Sequence, residues 1–437
     1  MQELNSGRRW SLAQRVGFRF LFSYLILFSL TGQEIAQIPF CEPLVDKYTE
    51  LWHAVAVWIG RHLFHITYKI ALSGDGSGDT TFRWLLLLCY VILAGVVTVV
   101  WSVLDRTRGN YERLHQWLRL LLRFSLAVAM IVYGTTKVIP NQMPIPRPYT
   151  LLQRVGELTP MRMLWTFMGT SPAYETFTGL AELLGGLLLL VPRTTLLGAL
   201  VCVADMTMVF LLNMCYDVPV KIMSFHYLGM SLILVAPDLH RLAGLFLFNR
   251  TVEPAETPPP LFVRPRLNRA PHVLLFLLGL YVIGASVLGA IERYKRQNPP
   301  RPPLYGVWSV EDPAGDTLAG RDADPERWRW VTFQKPGSFS VETASGAHRA
   351  FSLDFDRARK RLTLGKYLLD PKGGLVRDAK GQAQRIPNWR AELVFDQPAA
   401  DRLVLDGELD GRPMHATLHR MRLTGENFHW IIDPTDE

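Results

Sequence analysis

The chain has 437 residues, of which 49% are hydrophobic and only 20% charged, with 4 cysteines and a formal net charge of +8. Its apolar residues come in long blocks, which excludes a disordered chain, a collagen-like chain and a disulfide-framework domain. The basic residues flank those blocks and scatter through the last third, so the excess charge reads as membrane-flanking and not as a nucleic-acid surface.

A bilayer core needs roughly twenty mainly apolar residues per helix, because unpaired backbone groups cannot face hydrocarbon. By that measure the sequence predicts seven spans, near 16–33, 82–104, 117–139, 172–191, 194–213, 219–236 and 271–291. Arg8 and Arg9 precede the first, as in a signal peptide. No small-residue cleavage site follows, so an uncleaved anchor is expected. Between the first two spans, Leu44, Tyr48, Leu51, Trp52, Val55 and Ile59 recur at helical spacing. Charges interrupt this stretch, Leu44–Tyr68, which predicts an amphipathic helix in the interface with Trp52 and Trp58 at headgroup depth. Gly74–Gly78 predicts a turn, with Asp79 placed to cap the second span. Between spans four and five stand only Pro192, Arg193, Thr194 and Thr195, which forces an antiparallel hairpin. The arginine distribution puts the N-terminus in the cytoplasm and the C-terminal domain in the periplasm of a bacterial inner membrane.

After the Pro-rich joint Asn298–Pro303 the period changes to two, with runs at Tyr305–Val310, Arg327–Phe333, Ser338–Glu342, Ala350–Phe355 and Arg361–Leu364. Arg402–Leu409 and Met414–Arg420 flank Asp410-Gly411, a favoured hairpin turn. About eight short strands predict a meander closing into a small barrel. Gly306-x-Trp308 on the first strand and the closing hairpin resemble lipocalin-like barrels, while the plain reading of Trp308 is a strand-bound side chain plugging the barrel end. The expected fold is an α-helical integral membrane bundle plus a C-terminal all-β small barrel. Its parts are 1–116 with two spans, a four-helix core at 117–250, a linker and seventh span at 251–297, and the barrel at 298–437.

Within the four-helix core, Tyr133-Gly-Thr-Thr-Lys137-Val-Ile-Pro140 is followed by Gly179-Leu-Ala-Glu182-Leu-Leu-Gly185-Gly186. Pro192-Arg193-Thr194 then leads to a long helix ending at Asn213–Lys221. From about Leu120 to Asp238 this resembles the DoxX family of four-helix membrane proteins. The resemblance implies a membrane partner of thiol or sulfur oxidoreductases, with quinone-linked thiosulfate oxidation among the family's activities. The chain departs from the pattern by its added spans and barrel. It also lacks a Cys-x-x-Cys, which tells against a thioredoxin-type role.

Ionisable residues inside a span are expensive and usually face a partner or a wet cavity. Ser171-Pro172 is a good helix start, and Glu182 lies roughly 15 Å further along at 1.5 Å per residue, near the midplane. Asp205 reaches a similar depth in span five. Lys137, Asn213, Asp217, Lys221 and His226 belong to the outer leaflet, and the six ionisable residues among these seven are expected to form one connected polar cluster. Two readings stay open for Glu182. It could pin helix packing beside the small residues Gly179, Ala181, Gly185 and Gly186. Alternatively it lines a functional cavity, where Tyr133, Trp165 and a carboxyl would suit a quinone headgroup.

Cys89 and Cys202 fall within spans as small core residues. Cys41 and Cys215 follow spans one and five, so they share a side and are candidates for a disulfide, a redox pair or two independent thiols. His53, His62 and His65, with Asp75 and Asp79 nearby, are better read as interfacial than metal-binding, and no metal is expected. Arg327, Arg329, Arg357, Arg359, Lys360 and Arg361 make a basic face, either a solvated strand edge or a site for anionic headgroups. The expected partners are therefore the lipid bilayer, a periplasmic oxidoreductase or a small apolar ligand, with no nucleic acid. Two functions follow: a quinone- or thiol-linked redox component, or a non-enzymatic envelope scaffold whose barrel binds a ligand.

Overall fold

A computed structural model describes residues 9–30, 32–72, 77–255, 260–311, 326–370, 375–378 and 382–421. Arg8, Asp75 and most of the predicted Gly74–Gly78 turn lie outside the described residues. The chain forms two compact units, Met1–Pro144 with Thr159–Tyr294, and Ile145–Leu158 with Lys295–Glu437.

The first unit is helical. It contains α1 (Leu12–Leu30), α2 (Gln33–Ala36), α3 (Glu42–His62), α4 (Thr81–Leu104) and α5 (Glu112–Val138). A short helix, α6 (Pro148–Leu152), belongs to the second unit, and the first resumes with α7 (Pro160–Thr170) and α8 (Pro172–Leu190). α9 (Thr195–Cys215), α10 (Lys221–Val235), α11 (Leu239–Phe246) and α12 (Ala270–Gln297) complete it.

Among the described residues, six helical segments are long and apolar enough to cross a membrane: α4, α5, α8, α9, α10 running into α11, and α12. This is an integral membrane protein. On α4 and α12 large apolar side chains such as Val99, Leu104, Leu280 and Leu288 stay exposed, as lipid-facing surfaces require.

The first of the seven expected spans is the exception. α1 is helical, but Arg15 and Arg19 lower its apolar character and it is not among the six. Arg19 is buried and donates to the Tyr111 hydroxyl, to Ser102 Oγ at 2.7 Å and to the Asp105 carbonyl at 2.7 Å. That ties α1 to the end of α4. The amphipathic stretch is helical as α3 and packs on α4, with Trp52 edge-on to Tyr90 at 5.0 Å.

Helix ends follow from capping chemistry. Ser171 Oγ accepts from the Tyr174 amide with Pro172 in the first turn of α8, as expected. Asp79 does not cap the second span. Thr80 does, accepting from the Arg83 amide, while the Asp79 carboxylate accepts from the amides of Lys221 at 2.8 Å and Ile222 at 3.0 Å. It thereby caps α10, because two adjacent orphan donors outcompete one. The predicted hairpin is present, as α8 and α9 pack together around the turn Pro192–Thr194.

The second unit is a closed eight-stranded antiparallel barrel in meander order. Its strands are β1 (Gly306–Val310), β2 (Trp328–Phe333), β3 (Ser338–Thr343), β4 (His348–Asp356), β5 (Arg361–Lys366), β6 (Ala391–Ala399), β7 (Arg402–Leu409) and β8 (Arg412–Met421). β1 pairs with β8 to close it. Asp410 and Gly411 both have positive φ, 53° and 77°, as the tight β7–β8 hairpin requires. Trp308, Phe333, Phe339, Phe351, Leu362 and Leu393 fill the interior, as in barrels just wide enough for their own side chains. Trp308 Nε1 donates to the Leu304 carbonyl at 2.9 Å and blocks one end.

Candidate functional site

α5 and α8 approach more closely than any ordinary pair of side chains would allow. A Cβ placed on Gly134 would meet the Leu183 amide at 2.7 Å, and one on Gly179 would meet the Val138 amide at 2.6 Å. This small-residue seam brings Lys137 of α5 to Glu182 of α8, and Lys137 Nζ donates to Glu182 Oε1 in a buried ion pair.

Three features surround that pair. Glu175, one helical stretch earlier on α8, is 0% exposed and its Oε1 accepts from the Met143 amide at 2.9 Å. Asp205 on α9 lies within electrostatic reach of both Glu182 and Lys137. Among the described residues, Glu175 Oε2, Glu182 Oε2, Asp205 Oδ2, Asn141 Oδ1 and Gln142 Oε1 are buried with no hydrogen-bond partner. Buried acceptors without donors are costly, so this region has room to take up protons or a donor group. Asn141 Nδ2 donates to the Ala290 carbonyl at 2.9 Å, which sets the ends of α5 and α12 at the same face of the bundle.

The other expected site residues make separate hydrogen bonds and ion pairs elsewhere, so the expected single cluster is divided among several contacts. Lys221 Nζ donates to the exposed Asp217 at 2.7 Å and lies 3.9 Å from Asp79. Asn213 Nδ2 donates to Ser224 Oγ at 2.9 Å, a helix-to-helix tie between α9 and α10. His226 is buried, stacked on Phe28 at 3.9 Å. Its Nδ1 meets the Ile222 carbonyl at 2.7 Å, so that nitrogen carries the proton and Nε2 accepts from the Tyr24 hydroxyl at 2.7 Å.

Tyr133 and Trp165 do not flank a common slot. Tyr133 packs on the main helical core, whereas Trp165 packs with Met143, Leu164, Met168 and Val218 and donates to the Gln142 carbonyl at 3.0 Å. Trp165 sits on the separate short helix α7, and that separates the rings. Cys41, Cys89, Cys202 and Cys215 are all free thiols, with Cys41 half-buried and Cys215 exposed. His53 Nε2 meets the Ile70 carbonyl and His62 Nδ1 the Trp58 carbonyl. Among the described residues no group of three potential ligands could hold a metal.

Sequence reasoning missed Glu34, Glu175 and Tyr227. Tyr227 donates to Glu34 Oε1, and both are buried. Glu34 follows the first span in what reads as a loop, and Glu175 in a first helical turn reads as an ordinary dipole partner. Arg123 was also missed: it is buried and donates to the Leu189 carbonyl at 2.9 Å, closing the C-terminal end of α8.

Comparison with known proteins finds the Bacillus subtilis (strain 168) "Uncharacterized protein YwoB", 35% identical over 133 residues, which span 28% of this chain and 79% of that protein. The chain belongs to the family of YwoB. No family model matches it, and neither does any solved structure.

Proposed function

We propose that the helical unit is a DoxX-like redox component of a bacterial inner membrane, in which the carboxyls around Lys137 store and release protons for a quinone-linked reaction. One observation carries the reading. Glu182 pairs with the Lys137 ammonium, Glu175 and Asp205 lie within its electrostatic reach, and among the described residues each of the three keeps a buried carboxyl oxygen without a hydrogen-bond partner. One ammonium is set among three carboxyl groups, and uncompensated charge is costly in such surroundings, which is why this reading makes the cluster the place where protons are exchanged.

Reduction of a quinone to its quinol consumes two electrons and two protons. Oxidation of two thiols to a disulfide, or of two thiosulfates to tetrathionate, supplies the electrons. These are the donors that the DoxX resemblance implies. In this reading the N-terminus is cytoplasmic, the barrel is periplasmic and the electron donor is on the periplasmic side.

Proteoliposomes loaded with a short-chain ubiquinone and thiosulfate test this. Quinol should form faster than in protein-free liposomes and more slowly with Glu182→Gln or Asp205→Asn. Quinol formation at the protein-free rate removes the redox reading.

A second reading is favoured by the Gly134–Gly179 contact, although the filled barrel leaves its interior no room for a ligand. In it the protein is a non-enzymatic scaffold that docks a partner, a lipid or a small apolar ligand, and Glu182 only pins helices. Glu182→Gln would then lower stability without changing any turnover.

A further inference from the structure

The barrel unit carries a groove that neither functional reading uses. Residues 145–152 run beside the outer face of β2, β3 and β4 and leave a cavity of about 390 Å³ between them, a volume within the range of small-molecule sites. Strand alternation puts Val331, Phe339 and Val341 in the barrel core and turns Trp330, Thr332, Ser338 and Ser340 outward into the groove. Thr332 faces outward yet is only 4% exposed, so the groove is covered and not a flat surface. Tyr149 on α6 lies edge-on to His348 at 4.8 Å and holds the covering segment against β4.

Charge in the groove is unbalanced. Arg147 and Lys335 both line it, both are half-buried, and neither has an acidic partner among the described residues. Arg349 is taken up by Glu326, and Glu342, 3.8 Å from His348, is among the described residues the one carboxylate that lines the groove opposite these two cations. Burial and the nearby Arg147 guanidinium both push the Lys335 ammonium down from its ordinary value. Two cations held together at the expense of mutual repulsion call for a shared anion.

We propose that this groove binds a phosphate-bearing ligand, clamped by Arg147 and Lys335. A guanidinium offers a planar fork and an ammonium a point charge, and both suit a phosphoryl group. The hydroxyl of Ser338 and the second hydrogen of Gln334 Nε2, whose first reaches Thr332 Oγ1 at 3.4 Å, add donors to the two cations. Trp330 and Tyr149 flank the remaining space and suit an apolar or flat remainder on the ligand. The phosphoryl group comes either from a soluble phosphomonoester or from a phospholipid headgroup.

Calorimetric titration of the full chain decides this. In phosphate-free detergent, phenyl phosphate tests the soluble source, and nanodiscs of phosphatidylglycerol mixed into phosphatidylcholine test the lipid source. Saturable binding in either arm is expected, weakened roughly ten-fold or more by Arg147→Gln and by Lys335→Gln. Arg412→Gln, exposed on β8 and outside the groove, should bind as the wild type does. The thermal midpoint of each variant, unchanged from wild type, shows that the barrel has folded. Absence of binding in both arms, or binding that neither groove variant weakens, overturns the proposal.

Discussion

Gly134 and Gly179 occupy each other's side-chain space: a Cβ on the first would lie 2.8 Å from the Gly179 carbonyl oxygen, and one on the second 2.7 Å from the Gly134 oxygen. The contact is backbone against backbone, so no flexible side chain can yield. Gly179→Ala is expected to cost about 1–3 kcal/mol through overpacking. The same Cβ would lie 2.7 Å from Lys137 Cβ, so the ion pair is displaced as well. A lower thermal midpoint in detergent checks this, and an unchanged midpoint would contradict the close approach.

Lys137 and Glu182 are sunk between packed helices, where removing one partner strands the other. Lys137→Met alone should destabilise by about 3–5 kcal/mol, and Lys137→Met with Glu182→Leu should recover most of that loss. A double-mutant cycle on chemical unfolding measures the coupling. Additive losses would mean that the two groups do not act as a pair.

Asp79 caps α10 from 142 residues away in sequence. Asp79→Ala is expected to cost about 0.5–2 kcal/mol and to speed amide exchange at Lys221 and Ile222, leaving the start of α4 protected by Thr80. Faster exchange at Arg83 instead would return Asp79 to the second span.

The hydrophobic blocks located the six spanning helices, and alternation located β7, whose Arg402–Leu409 limits agree in both readings. β6 escaped notice because Asp396, Gln397 and Pro398 break its alternating pattern toward the end. In the site, Glu182 and Lys137 were legible because charge inside an apolar block is conspicuous. The Tyr227–Glu34 bond was not, since its members are 193 residues apart and neither has a local signature. The single polar cluster failed for the same reason: helical depth gives a residue's level in the membrane but not the face it presents.

In the barrel, hydrogen bonds from Lys366, and from Trp389, hold the Asp410 carboxyl below the usual aspartate range. A lowered folded value means that the ionised form is the stabilised one. The contribution is therefore fully present above the unfolded aspartate value of about 4 and is lost as the pH falls through the lower folded value. Asp410→Asn should lower barrel stability at neutral pH and flatten its acid dependence. Unfolding curves between neutral and acidic pH check this, and an unaltered acid slope would contradict it.

If the carboxyls around Lys137 exchange protons as proposed, infrared difference spectroscopy of the full chain in lipid will detect them. The expected spectrum has a protonated-carboxyl band that shifts in deuterated buffer and weakens with Asp205→Asn or Glu175→Gln. A spectrum with no such band, or one that neither substitution changes, would contradict the proposal.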